Sequence, residues 1–442
     1  MTRSPQSRRG GRVRRTSRAG AVVASMSLLA LTACAGGDEG TPTLSWYTNP
    51  DAGGQAAIAA SCTEAADGAY RIETVSLPRE AASQREQLAR RLAAKDASID
   101  LMSLDPPYIP ELAEAGFLAP IPEDKVEVFS EGVLEGALAG ASWRDELVTA
   151  PFWANTQLLW YRVSVAEEAG LDLESGAVTW EQLIEAATEQ DKLLAVQGAK
   201  AESFMVWVNA LVASAGGQIV TDPAADSETL QLGLDSEAGR AAAEIVGRIG
   251  SEGLGGPGMA TADENANLST FQSDSGSFMV NWPFVWPATV SAVEGGTLEE
   301  PLLDDIGWAL YPRVTEDAEP APPLGGINLG VGAFSEHTDL AYEALECIVA
   351  PENQVEYFIS DGNPPSNEAA YDDPQLAEEF PMAETIRESL ELAVPRPQTP
   401  YYNELSIGLQ ETWYPASSVD PETTPVEATD KILSVLRGEA LL

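Results

Sequence analysis

The chain has 442 residues and a formal net charge of −44, from 69 acidic and 25 basic residues. That surplus excludes nucleic acid and acidic lipid surfaces as default partners, because phosphate contacts need basic patches, while 44% hydrophobic residues make the chain too apolar for an acidic disordered one. The single histidine, His337, is a poor basis for a zinc hydrolase or a Ser-His-Asp triad, whereas the many carboxylates leave a two-acid glycosidase open.

Residues 1–18 hold seven arginines and no acid, and an apolar run follows from Ala21 to Leu31. A positive stretch before a short apolar one is the layout of a secretory signal peptide, and the run is well short of the roughly 20 residues a spanning helix needs. It ends in Leu31-Thr32-Ala33-Cys34, which resembles the bacterial lipobox. The resemblance implies cleavage before Cys34, a diacylglycerol on its sulfur and acylation of its new amino group. The alternative is an ordinary secretory signal with a chance cysteine. Dual acylation anchors stably where one chain is marginal. The expected signal peptide is therefore 1–33, followed by a lipidated, flexible tether at 34–41. Cleavage removes seven of the 25 basic residues and none of the 69 acidic ones, leaving 18 against 69 and a net charge of −51.

About 400 residues remain, too many for one core, so two lobes are expected. Leu44–Thr48 reads as a strand, Ala56–Ala66 as a small-residue helix, Tyr70–Pro78 as a strand, Ser83–Lys95 as a helix with Leu88 and Leu92 on one face, and Ile99–Leu104 as a strand. This alternation means a parallel sheet with right-handed crossovers, whose ligands sit beyond the strands' carboxyl ends. The turns at Thr48–Asp51 and Leu104–Pro107 are the places to look. After Pro151, the run Asn155–Arg162 looks like a polar pair and an apolar strand crossing into a second lobe. There, Thr179-Trp180-Glu181-Gln182 has the pattern of a capping box, a helix spans 202–214, and the strand Ser277–Asn281 leads into Trp282-Pro283. Ile306–Arg313 returns toward the first lobe, Gly325–Gly332 is a strand with glycines at one end, and a helix carries Leu340, Ala344, Leu345 and Ile348. His337 stands at that helix's start, a place for an exposed residue rather than a catalytic one. The lobe boundaries are 42–152 with 312–364, and 153–311 with 365–442. Cys62 and Cys347, both on helices of the first lobe, form an even pair in an oxidising compartment, which suggests one disulfide; two buried thiols are the alternative.

Asp100-Leu101-Met102-Ser103-Leu104-Asp105, Glu114-Ala115-Gly116-Phe117-Leu118, Asn155–Arg162 and Asp361-Gly362-Asn363-Pro364-Pro365-Ser366 make the chain resemble the extracellular solute-binding proteins of ABC sugar importers, of the maltose-binding type. Val75–Arg79, Asn281–Phe284, Gly325–Leu329 and Arg396–Pro400 are most similar to the trehalose-binding lipoproteins of actinobacterial importers. The resemblance implies an α/β, two-lobe periplasmic-binding-protein-like fold (type II) with a ligand cleft between lobes joined by hinge crossovers. It places Asp105, Asn155, Glu264, Trp282, Gly326 and Arg396 at the ligand.

The residue types suit a sugar, whose hydroxyls need carboxylates and amides and whose C–H faces need an aromatic plane. Each position has a second reading: a turn residue for Asp105, a hinge hydrogen bond for Asn155, a solvated helix start for Glu264, core packing for Trp282, a tight turn for Gly326 and a structural ion pair for Arg396. Asp51 is added only for its place after the first strand. Trp282 and Arg396 are expected on the second lobe and Asp105 on the first. The expected function is hinge closure on a disaccharide, trehalose favoured, with delivery to the membrane permease subunits of an importer. The protein is read as a monomer on the outer face of the cell membrane, without metal, cofactor or catalysis, and no G-x-x-x-x-G-K-[ST] occurs in it. Another sugar, such as maltose or an oligosaccharide, a non-sugar solute, and a secreted glycosidase stay open as alternatives.

Overall fold

A computed structural model describes residues 40–173 and 178–442. The signal peptide and Cys34 lie outside the described residues. Twelve strands are seen among the described residues: β1 (Thr43–Thr48), β2 (Arg71–Ser76), β3 (Leu101–Leu104), β4 (Ser142–Trp143), β5 (Glu146–Leu147), β6 (Ala150–Thr156), β7 (Leu158–Arg162), β8 (Leu193–Ala195), β9 (Gly276–Asn281), β10 (Ile306–Ala309), β11 (Pro323–Val331) and β12 (Val394–Pro395). They build two main sheets, one of β12-β11-β3-β1-β2 with β6 also on β11, and one of β10-β7-β9-β8; β4 and β5 form a small hairpin. Among the described residues, no helix is long and apolar enough to cross a membrane.

The first sheet follows from its sequence. β1 pairs in parallel with both β2 and β3, with the helices Gly54–Ala65 and Ala81–Ala93 as crossovers. β3 is central and buried on both faces, which is why it reads as an unbroken apolar run apart from Ser103. The hydroxyl of Ser103 is used: it accepts from Trp46 Nε1 at 3.0 Å and donates to Gln55 Oε1 at 3.2 Å. β2 is an edge strand, exposed except for Ile72. On the core side, Leu44, Trp46, Ile58, Phe152, Leu329, Leu345 and Tyr357 pack together. Cys62 and Cys347 are bonded there, joining the helix Gly54–Ala65 to the helix Thr338–Ile348.

The second sheet has its own core, with Trp180, Phe204, Trp207, Leu211, Val246, Phe278, Leu409 and Trp413. The Thr179 capping box forms: Gln182 N donates to Thr179 Oγ1 at 3.3 Å, and Thr179 N donates to Gln182 Oε1 at 2.9 Å. The stretch Asn155–Arg162 is not one strand. Ala150–Thr156 belongs to the first sheet and Leu158–Arg162 to the second, with Gln157 as the pivot. The chain crosses back between β10 and β11, and a third time near Pro364, whose carbonyl accepts from Ala154 N at 3.0 Å.

Residues 365–442, expected as one piece of the second lobe, divide. Leu376, Phe380, Ile386 and Leu390 pack into a cluster with Ala137, Ala154 and Leu324 of the first-sheet side as well as Leu158 and Met279 of the second. Val394–Pro395 then pairs in parallel with Pro323–Leu324 of β11. The helices Tyr402–Trp413 and Thr424–Leu436 complete the second core. The reason is proline: a two-residue edge strand that ends in Pro395, with Pro397 two residues on, offers one short ladder and no period to read.

Candidate functional site

Register alone brings the main candidates together. Along one edge of β11, β3 runs antiparallel and ends with Leu104 opposite Asn328, while β12 runs parallel and ends with Pro395 opposite Leu324. The two strands therefore point at each other, and the residues that follow them, Asp105 and Arg396, meet in the gap. Along the other edge of β11, Asn155 of β6 lies opposite Gly325 and Ala154 opposite Gly326. Arg396 consequently leaves from the first sheet, not from the second lobe as expected.

Arg396 and Asp105 form a two-point ion pair. Nη1 donates to Asp105 Oδ2 at 3.1 Å and Nη2 donates to Asp105 Oδ1. Nη1 also donates to Glu202 Oε1 at 2.7 Å. The side chains of Arg396, Asp105 and Glu202 are 5%, 14% and 19% exposed, so the cluster is nearly dry. Burial works against the guanidinium's charge, but the charges of Asp105, Tyr402 and Glu202 outweigh it and hold its pKa well above the ordinary arginine value. The Arg396 guanidinium carbon lies 5.9 Å from the Tyr402 ring centre, and Tyr108 meets Tyr402 edge-on at 5.2 Å.

Trp282, half-buried at the end of β9, reaches the same place from the second sheet. A Cβ on Gly325 would sit 2.9 Å from the Trp282 ring and 3.6 Å from Asn155 Cβ, so this glycine is where the indole edge and Asn155 come together. Gly326 has φ +117°, and a Cβ there would lie 2.2 Å from the Trp153 carbonyl oxygen. Its glycine is thus required by the protein's own backbone beside the irregularity at Ile327/Asn328, rather than by a tight turn. Asn155 is buried, and its Oδ1 accepts from Thr156 N at 3.0 Å.

Glu264 opens the helix Glu264–Phe271, which Asp263 caps by accepting from Ala266 N at 2.8 Å. The Glu264 carbonyl accepts from Asn281 Nδ2 at 3.0 Å, which ties it to the residue before Trp282. Burial pushes its carboxyl pKa up against its own backbone N–H, and the charges of Asp263, Glu80 and Glu202 add to the rise. Asp51 is different: exposed, with its carboxylate accepting from Gly53 N at 3.1 Å and Gln55 N at 2.8 Å, it serves the start of the helix Gly54–Ala65. Glu202, which holds Arg396 from the other side, is the residue sequence reasoning missed. The available signal was an acid heading a helix that is otherwise apolar and buried almost throughout.

Among the described residues, no group of three or more His, Cys, Asp or Glu is arranged to hold a metal ion. What the arrangement offers is an aromatic edge, an amide, carboxylates and one arginine, lying where the two sheets approach. The family model described as bacterial extracellular solute-binding protein matches residues 48–355. Among solved structures, maltose-bound MalE3 of T. maritima is similar at 24% identity and a TM-score of 0.73, covering 90% of this chain and 100% of that one. MalE of Xanthomonas citri, a sugar-binding protein, gives 17% and 0.74 over 90% and 98%. The GacH receptor of Streptomyces glaucescens, solved unliganded and with acarbose, gives 20% and 0.71 over 90% and 98%.

Proposed function

The chain belongs to the family of bacterial extracellular solute-binding proteins, and from that premise we propose that it captures a disaccharide, trehalose favoured, for an ABC importer. The observation that carries the reading is the meeting of Asp105, Arg396, Asn155 and Trp282 around Gly325, where strands of both sheets end. Hydroxyl-rich ligands need such acceptors and donors close to an aromatic face. Two of the named neighbours, one solved with maltose and one with acarbose, support the sugar class. Two lobes close on the ligand by rotation in the crossings near Pro151–Asn155, Pro312–Pro323 and Asn363–Ser366. Closure follows from the ligand's preference for the closed form and breaks no bond. The closed form docks on the permease subunits, one copy of the chain at a time.

Thermal-shift screening against disaccharides tests this reading. Trehalose at about a hundredfold over its Kd should add roughly 2.7 kcal/mol of stability and a clear rise in Tm, with maltose giving less. No shift with any disaccharide at millimolar concentration replaces the sugar by a non-sugar solute.

The anchor at Cys34 belongs to the same proposal, since it would keep the binding protein at its permease. Metabolic labelling with a fatty-acid probe should tag the wild type and leave Cys34→Ala untagged. Equal labelling of both removes the anchor.

A further inference from the structure

Glu202 lies 194 residues from Arg396 in sequence, yet its carboxylate is saturated by donors around that guanidinium. Oε1 accepts from Arg396 Nη1 at 2.7 Å and from the Tyr402 hydroxyl, and Oε2 accepts from Ser406 Oγ at 2.7 Å. Ser406 Oγ in turn accepts from Gln410 Nε2 at 2.8 Å. Tyr402, Ser406 and Gln410 stand at positions four apart on the helix Tyr402–Trp413, so one helix face braces the carboxylate. The helix that Glu202 opens is buried almost throughout, and Phe204, Trp207, Val208 and Leu211 are part of the second core. Glu202 is thus fixed to the second lobe's packing, whereas Arg396 and Asp105 extend from strands of the first sheet.

We propose that Glu202 is a positioning residue of the ligand cleft, one that holds the Arg396 guanidinium so that its remaining donors face the ligand. Both N–H groups on Nη1 are taken, one by Asp105 and one by Glu202, and Nη2 gives one to Asp105. Nε–H and the second Nη2–H have no acceptor among the described residues. A guanidinium clamped from two sides keeps those two donors in a fixed plane, which is what a flexible arginine cannot do for a hydroxyl-rich ligand. The clamp also joins first-sheet strand ends to a second-lobe helix, so the geometry is complete only when the two sheets stand in this arrangement. The proposal rests on the sugar-binding reading for its ligand, but not for the clamp itself.

The test uses Glu202→Gln, which keeps the shape and removes the charge, with trehalose as the titrant in calorimetry. Glu202→Gln should weaken binding about tenfold. The loss should nearly vanish when Arg396 is already alanine and persist in full when Trp282 is alanine, because only the first pair is coupled. Equal losses in both backgrounds, or none in the wild-type background, overturn the proposal. If Glu202→Gln does not fold, Tyr402→Phe removes one donor to Glu202 without changing charge and should give a smaller loss in the same direction; unchanged affinity in that variant overturns it. A second readout needs no ligand. In arginine-labelled protein, with the signal of Arg396 assigned from its disappearance in Arg396→Lys, the Nε–H should exchange with solvent faster in Glu202→Gln than in wild type. Unchanged exchange refutes the clamp even where the wild type binds no disaccharide, an outcome that on its own condemns only the sugar reading.

Discussion

Replacing Arg396 by alanine is expected to lower affinity for trehalose by about ten- to a hundredfold and to cost about 3–5 kcal/mol of folding stability. The affinity loss comes from ligand groups left without a donor, roughly 1–3 kcal/mol, at 1.4 kcal/mol per tenfold. The stability loss comes from what remains: Asp105 and Glu202, both largely buried, lose their shared cation and face each other as like charges. The second term follows from the structure alone, because a lone ligand-binding arginine would be removed with the fold intact. Asp105→Asn should weaken binding in the same range with a smaller stability cost, since the amide still accepts from one Arg396 N–H. Calorimetric titration beside urea unfolding reads both quantities. An Arg396→Ala protein with wild-type affinity and wild-type unfolding would remove the cluster from both roles.

Cys62→Ala combined with Cys347→Ala is expected to destabilise the protein by about 2–4 kcal/mol. The bond joins positions 285 residues apart, and between them the chain leaves the first sheet, builds all four strands of the second and returns. Cutting it frees a very long loop in the unfolded chain, which is where loop-closure entropy acts. Cys62 is fully buried, so the two alanines also lose packing against Ile58 and Ala344 in the same core. Asn353 stays engaged, because its Nδ2 donates to the Cys347 carbonyl at 2.6 Å. Urea unfolding should show the lowered midpoint, and thiol titration of the denatured, unreduced wild type should find no free thiol at these two positions. Two free thiols and an unchanged midpoint contradict the staple.

The parts of the fold written in local pattern were the legible ones. Alternating strand and helix signals from Leu44 to Leu104 led to a parallel sheet, and β1 flanked by β2 and β3 is that sheet. Thr179 and Gln182 carry a capping box within four residues, and the box forms. The break at Gln157 was hidden, because Asn155–Arg162 has strand chemistry on both sides of it and only pairing partners distinguish the sheets. Val394–Pro395 was hidden for a different reason: two residues have no period, and their place depends on Leu324. At the site, Asp105 could be suspected from its strand end. Glu202 was harder to single out: its one signal was the apolar helix it heads, and an acid in a first helical turn is what the helix dipole favours anyway. Its role exists only through contacts with Arg396, Tyr402 and Ser406, all about 200 residues away in the chain.

A crystal structure of the protein grown with trehalose should hold one disaccharide in the space between the two sheets, with hydroxyls within hydrogen-bond distance of Asp105 and of the free donors of Arg396, and a sugar face against Trp282. A sugar bound elsewhere on the chain, or a cleft that excludes it while Arg396 stays locked between Asp105 and Glu202, would rule out sugar capture at this cluster.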